Sequence, residues 1–273
     1  MAEPDPITLS VVEGTLKSIT REMGITIDRT ARSPVLKLAR DYSNAVLDAD
    51  TQQLMQGDDI PVHLGALEFS ARSVANYFQN ELYPGDVIYH NSPATGATHK
   101  SDCCAIKPVF FENELLFWVC CNAHLSDIGG GVPGGYNPIA EDMYAEGLRI
   151  SPIKIVEKGE LRRDIFDLIV GSVRTSTHTR GDIRSQLGAV GLAERRLLTL
   201  VERYGVETIR SCVKALLDIA ERRMRKEIRT MPNGHYRGVS WVEDDGHGSG
   251  RSKIECDVII EDEDIRVQMY SRP

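Results

Sequence analysis

A chain of 273 residues, 41% hydrophobic and 26% charged, has the composition of a folded globular protein long enough for a sizeable core and one or two domains. Its net charge of −8 repels a phosphate backbone, and no apolar run is long enough to span a bilayer, so neither nucleic acid nor membrane is an expected partner. No N-terminal segment combines a basic flank, an apolar stretch and a cleavage site; the expected location is cytoplasmic, with Cys103, Cys104, Cys120, Cys121, Cys212 and Cys256 as reduced thiols.

The first predicted element is a helix over 7–32, where Leu9, Val12, Leu16, Ile19, Met23 and Ile27 recur at steps of three and four. Ser33-Pro34 ends it. Residues 43–48 read as a short strand, 65–79 as a helix with Leu67, Ala71, Val74 and Phe78 inward, and Val87-Ile88-Tyr89 as a strand. Residues 104–111 and 115–122 flank Glu112-Asn113-Glu114 and predict a β-hairpin. Five glycines within 129–135 exclude helix and central strand, leaving a loop.

Beyond the loop, 187–203 and 206–229 read as helices separated by Gly205 and are expected to form an antiparallel pair. Residues 235–242, 252–260 and 264–270 read as strands, the last running into residue 273 without a return. The expected fold is therefore α+β, in three parts. Residues 1–185 form a β-rich region carrying the chemistry, 186–230 the helix pair, and 231–273 the start of a C-terminal β region that is incomplete as it stands.

Two segments concentrate His and Asp, Thr98-His99-Lys100-Ser101-Asp102 and Asn122-Ala123-His124-Leu125-Ser126-Asp127. Each abuts a strand of the hairpin, which can return position 124 beside 102. Two imidazoles and a carboxylate suit a divalent ion such as Zn, Mn or Fe and leave coordination positions open. Asp41, just before a strand, is either a further ligand or the carboxylate that orients a histidine. The competing reading is a loop histidine hydrogen-bonded to a nearby Asp. His63 reads as a core or loop histidine, with a site role as the minor alternative. The glycine loop lacks Gly-Lys-Ser/Thr and is not a nucleotide loop; it reads as a tight loop near the site. The adjacent cysteine pairs lack zinc-ribbon spacing and read as core.

These blocks, with Arg40-Asp41-Tyr42-Ser43, Ile60-Pro61-Val62-His63-Leu64-Gly65, Gly85-Asp86-Val87-Ile88, Asp127-Ile128-Gly129-Gly130 and Gly181-Asp182-Ile183-Arg184-Ser185-Gln186, resemble the hydantoinase B/oxoprolinase family from Asp5 to the end of the chain. The resemblance implies a B-type subunit that holds a metal at Asp41, His99, Asp102 and His124. It also implies an A-type partner subunit of the actin-like ATPase kind that uses ATP and Mg to phosphorylate a small-molecule substrate. The implied reaction is hydrolytic opening of a cyclic amide (hydantoin, 5-oxoproline or a lactam). ATP-dependent ketone carboxylation is the rival within the family, and a non-catalytic scaffold subunit is the rival outside it. Ser92 stands where the family usually has Asp, and Leu125 where it often has an aromatic or His.

Overall fold

The first helix begins where Asp5 caps it. Its carboxylate accepts from the Ile7 and Thr8 N–H groups at 3.0 and 3.3 Å, and Pro6 occupies the first turn, where its missing donor costs nothing. Helix α1 (Pro6–Thr30) closes with the Ala31 N–H on the Ile27 carbonyl, and its stripe Val12, Leu16, Ile19, Met23 and Ile27 is buried. In this computed structural model, which describes residues 4–271, the chain divides into two compact units. Residues up to Asn137 with Asp142–Val213 form the first; Pro138–Glu141 with the residues from Lys214 onward form the second.

The first unit continues with α2 (Pro34–Lys37), β1 (Tyr42–Asp48), β2 (Gln53–Gln56), α3 (Pro61–Phe78), β3 (Val87–His90), β4 (Asp102–Phe111) and β5 (Glu114–His124). Then follow β6 (Ile153–Glu157), β7 (Glu160–Leu161), α4 (Arg163–Gly171) and α5 (Ser176–Tyr204). The seven strands form one antiparallel sheet in the order β2-β1-β5-β4-β3-β6-β7. The hairpin turn is Glu112-Asn113, both at positive φ (49° and 70°), the conformation whose twist matches that of two antiparallel strands.

Alternation along the strands separates two faces. Ala45, Leu47, Cys104, Ile106, Trp118 and Cys120 pack with Leu64, Leu67, Ala71 and Val74 of α3. The other face meets α1 and α5: Tyr42 donates to Asp28 of α1 at 2.7 Å, and Gln186 of α5 donates to the carbonyls of Cys103 and Cys121 at 2.7 and 3.0 Å. β1 and most of β4 and β5 are thus buried on both sides. The four hairpin cysteines lie in this core as free thiols, and burial pushes the Cys103 thiol up to about 12, far from thiolate reactivity.

α5 starts 11 residues before the predicted helix start at 187. Its early turns bury Thr179, Asp182, Ser185 and Gln186, so its inward face is polar there and no apolar stripe marks it. Asp182 accepts from the Arg32 and Ser33 N–H groups at 2.6 and 3.1 Å, closing the α1–α2 corner. α5 packs extensively along α1, and α6 (Val206–Ile228) follows α5 after Gly205. The sequence reading does not include β2, β6, β7 or α4; the strands are two to five residues long, and the nine-residue α4 is a short amphipathic helix that buries Phe166, Ile169 and Val170.

In the second unit β8 (Gly234–Val242), β9 (Ser252–Glu261) and β10 (Asp264–Ser271) form an antiparallel sheet in the order β10-β9-β8. The expected boundaries, 235–242, 252–260 and 264–270, agree to within one residue. Among the described residues, no helix is long and apolar enough to cross a membrane.

Candidate metal centre

β4 opens with Asp102 and β5 closes with His124, and the two are register partners, so both side chains leave the same end of the hairpin on the α3 face. The His124 N–H donates to the Asp41 carbonyl at 3.0 Å, which brings the residue preceding β1 to the same edge. His99 stands in the turn before β4, closed by the Asp102 N–H on the His99 carbonyl at 3.1 Å. The four residues selected from the sequence, Asp41, His99, Asp102 and His124, therefore meet at one place.

Asp102 is the centre of the cluster. Its Oδ1 lies 3.2 Å from His99 Nε2 and 3.3 Å from His124 Nδ1, and its Oδ2 lies 3.1 Å from His63 Nε2. Thr98 donates its hydroxyl to Oδ2. Asp41 is more distant, its two oxygens 3.7 Å from His124 Nδ1 and 3.8 Å from His63 Nε2. Burial opposes ionisation of Asp102, but the partners His124, His63, His99 and Thr98 outweigh it and hold the carboxyl well below the usual carboxylate range. His99 is shifted upward, chiefly by its contact with Asp102.

The ligand atoms of His99, Asp102 and His124 all lie within 4.8 Å of one another, the compactness a single ion requires. Asp102 Oδ1 is buried and makes no aligned hydrogen bond, although two ring nitrogens stand close to it. A buried carboxylate oxygen without a hydrogen bond is costly, whereas one facing a shared cation is not. The donor set fits a divalent ion on this ground. The side chains of Asp102, His63 and His124 are 1%, 3% and 7% exposed, against 31% for Asp41 and 40% for His99. The cluster is closed from behind and open on the His99–Asp41 side.

His63 is the residue that sequence reasoning places only as a minor alternative. It rides the first turn of α3, with Nδ1 3.2 Å from the Ser43 hydroxyl and Nε2 on Asp102. The one available signal is its membership in the 60–65 block. Tyr136 carries no signal in the sequence. Its ring lies 5.7 Å from that of His124, nearly parallel at 16°, and 5.8 Å from that of His99. Leu125, by contrast, is fully buried and points no group at the centre.

The glycine loop delivers Tyr136. Gly129, Gly130, Gly134 and Gly135 have positive φ, and a Cβ at Gly135 would stand 2.6 Å from Ser101 Oγ, so only glycine lets this backbone approach the His99–Asp102 turn. Asp127 anchors the loop, accepting from the Gly129 N–H at 3.2 Å and from Arg174 Nη1 at 3.3 Å. It does not join the cluster. His90 also stays apart, its Nδ1 3.0 Å from Thr95 Oγ1, and burial lowers it to about 4.

The sequence profile of the hydantoinase B/oxoprolinase family matches residues 5–270. The chain belongs to that family. The beta subunit of caprolactamase from Pseudomonas jessenii is 46% identical over 269 residues, covering 98% of this chain and 46% of the relative. The B-type subunit of a putative D-/L-hydantoinase from Pseudomonas sp. (strain NS671) is 30% identical, covering 97% of this chain and 46% of the relative. The crystal structure of ATP-dependent caprolactamase from P. jessenii superposes with a TM-score of 0.94, over 98% of this chain and 46% of the other. The nucleotide-free structure of acetone carboxylase has a TM-score of 0.88 at 20% identity, over 96% and 37%, and shares the fold. This family member spans just under half the length of the caprolactamase and hydantoinase relatives.

Proposed function

We propose that this chain is the metal-binding part of an ATP-dependent enzyme that opens a cyclic amide, a lactam first among them, after an A-type ATPase subunit has phosphorylated the substrate. The observation that carries the reading is the convergence of His99, Asp102 and His124, whose ligand atoms all lie within 4.8 Å of one another. Membership of the family and the 46% identity to a caprolactamase subunit support the lactam.

His99, His124 and Asp102 would hold the ion, with Asp41 as a fourth donor at the open side. A divalent ion such as Zn, Mn or Fe supplies Lewis acidity there. The chain's own residues do the rest. His63 and Thr98 fix Asp102 by its Oδ2, which leaves Oδ1 facing the two ring nitrogens. Water adds to the phosphorylated amide carbon, and one of its protons goes to the ring nitrogen. The C–N bond then breaks with its electron pair going to that nitrogen, which takes the remaining hydroxyl proton as C=O forms; this leaves a free amine and an acyl phosphate, which a second water hydrolyses to carboxylate and inorganic phosphate. Tyr136 walls the open side and limits access of bulk water.

An unstrained amide is a poor electrophile, so activation must precede attack. Among the motifs of this chain there is no Gly-Lys-Ser/Thr loop to hold a nucleoside triphosphate. The 46% identity to a caprolactamase beta subunit supports activation in a partner subunit, with ATP and Mg. The test is metal content by elemental analysis together with lactam-dependent ATP hydrolysis by the complex, with and without bicarbonate. Stoichiometric metal and bicarbonate-independent turnover are expected. A metal-free active complex, or turnover that needs bicarbonate, would overturn the reading.

A further inference from the structure

Of the clustered histidines, His99 is the one that no strand or helix holds. Its position depends on the four-residue turn 99–102, and that turn is pinned through three successive carbonyls. The His99 carbonyl accepts from the Asp102 N–H at 3.1 Å, and the Ser101 carbonyl from the Leu125 N–H at 2.8 Å. Both donors are backbone groups at the ends of the hairpin. The middle carbonyl, that of Lys100, takes its short contact from a side chain on a different strand end, Asn91 Nδ2 at 2.6 Å, with the Cys103 thiol a weaker donor at 3.9 Å.

Asn91 immediately follows β3 and is fully buried. Its second amide contact goes from Nδ2 to the Leu148 carbonyl at 2.9 Å, and its Oδ1 accepts from the Ile150 N–H at 2.6 Å. Its own N–H donates to the Ile150 carbonyl at 3.1 Å. Donor and acceptor ends of the carboxamide are both engaged, so the group has one orientation. The same 147–150 segment takes a second tie from the turn, the buried Lys100 ammonium donating to the Gly147 carbonyl at 3.2 Å. Segment 147–150 is fixed in turn by the Leu148 N–H on the Ile128 carbonyl at 2.9 Å, just past His124.

We propose that Asn91 is a positioning residue of the metal centre: its carboxamide sets the place of the His99–Asp102 turn and thereby the affinity and coordination geometry of the ion. The inference rests on the metal reading above. Asn91 touches neither substrate nor ion, and it acts through His99. A buried amide that loses either of its donors leaves a carbonyl unpaired, and the turn relaxes toward water on its open side.

The test uses the whole protein, stripped with a chelator and titrated with Zn(II) against a chromophoric competitor, and separately loaded with Co(II) for its visible absorption. Asn91→Asp keeps the volume and the acceptor but removes both donors. It is expected to weaken Zn(II) binding 10–100-fold, the range for loss of a group that orients a ligand, and to change the Co(II) band intensities. Asn91→Ser, smaller and uncharged, is expected to act in the same direction and replaces the charged variant if that one folds poorly. Melting of the metal-free proteins is the control, because a merely structural residue would lower the midpoint and leave affinity and spectrum alone. That result overturns the proposal. Failure of the unmodified protein to bind Zn(II) or Co(II) at all would instead overturn the metal reading on which it stands.

Discussion

The two sheets of this chain are built on opposite principles. In the first unit β1, β4 and β5 are covered on both faces, and β5 reads as the nearly unbroken apolar run Leu115–Cys121. In the second unit the strands alternate. Tyr236, Val258, Val267 and Met269 share one face, while His235 with Asp257 and Arg237 with Glu255 occupy the other. Among the described residues of those three strands, Ile260 alone is buried. The same residue types, an imidazole beside a carboxylate, occur in both. At the end of the doubly covered hairpin they converge with two further imidazoles; on the exposed sheet they make one solvated pair. What separates a candidate metal centre from a surface ion pair here is the rigidity of the strands that carry it.

The sharpest way to break that contrast is to delete equivalent groups from both sheets. His99→Ala and His124→Ala each remove a proposed ligand and are expected to lose most of the metal that the unmodified protein binds. Asp41→Asn is expected to cost about 10–100-fold in affinity if it only orients, and more if it is a ligand. His235→Ala and Asp127→Asn should leave metal content unchanged. Full stoichiometric metal in both cluster variants would reduce the centre to hydrogen-bonded loop histidines.

A second comparison concerns stability. Trp118 is fully buried and donates its indole N–H to the Ala49 carbonyl at 3.2 Å, whereas Trp241 is half-exposed on β8. Trp118→Ala is expected to cost about 3–5 kcal/mol of unfolding free energy by denaturant titration, and Trp241→Ala about 1 kcal/mol or less. Equal costs would mean that the second sheet is as fully packed as the first.

The smallest effect is acid sensitivity. His90 is buried with Nε2 lacking a partner, and its value falls from 6.5 to about 4 because burial penalises the imidazolium. The unfolded chain then binds a proton that the folded chain refuses. The stability due to neutral His90 is complete above pH 6.5 and is lost as pH falls toward 4, by about 3 kcal/mol in all. His90→Gln should flatten this slope between pH 6.5 and 4. An unchanged slope in His90→Gln would assign it to other groups.

Much of the site is legible in the sequence because its pieces are local. The apolar runs on either side of Glu112-Asn113 predict the hairpin, and the hairpin alone implies that 102 and 124 lie side by side. Asp41 is visible as an acid before a strand. His63 is not, because its approach to Asp102 depends on α3 crossing the sheet and on the Ser43 contact, neither of which has a sequence period. Tyr136 depends likewise on where a glycine loop folds back.

The sequence by itself determined the candidate ligand types and the strand pair that carries them, since these follow from the period of a strand and the chemistry of each side chain. Tertiary structure alone decided that α5 lies along α1 with a polar inner face, that His63 stands behind Asp102, and that the Asn91 carboxamide reaches the Lys100 carbonyl. Each of these joins separate segments of the chain through a few directional contacts. Such contacts depend on distances of a few tenths of an ångström, and no repeat in the chain records them.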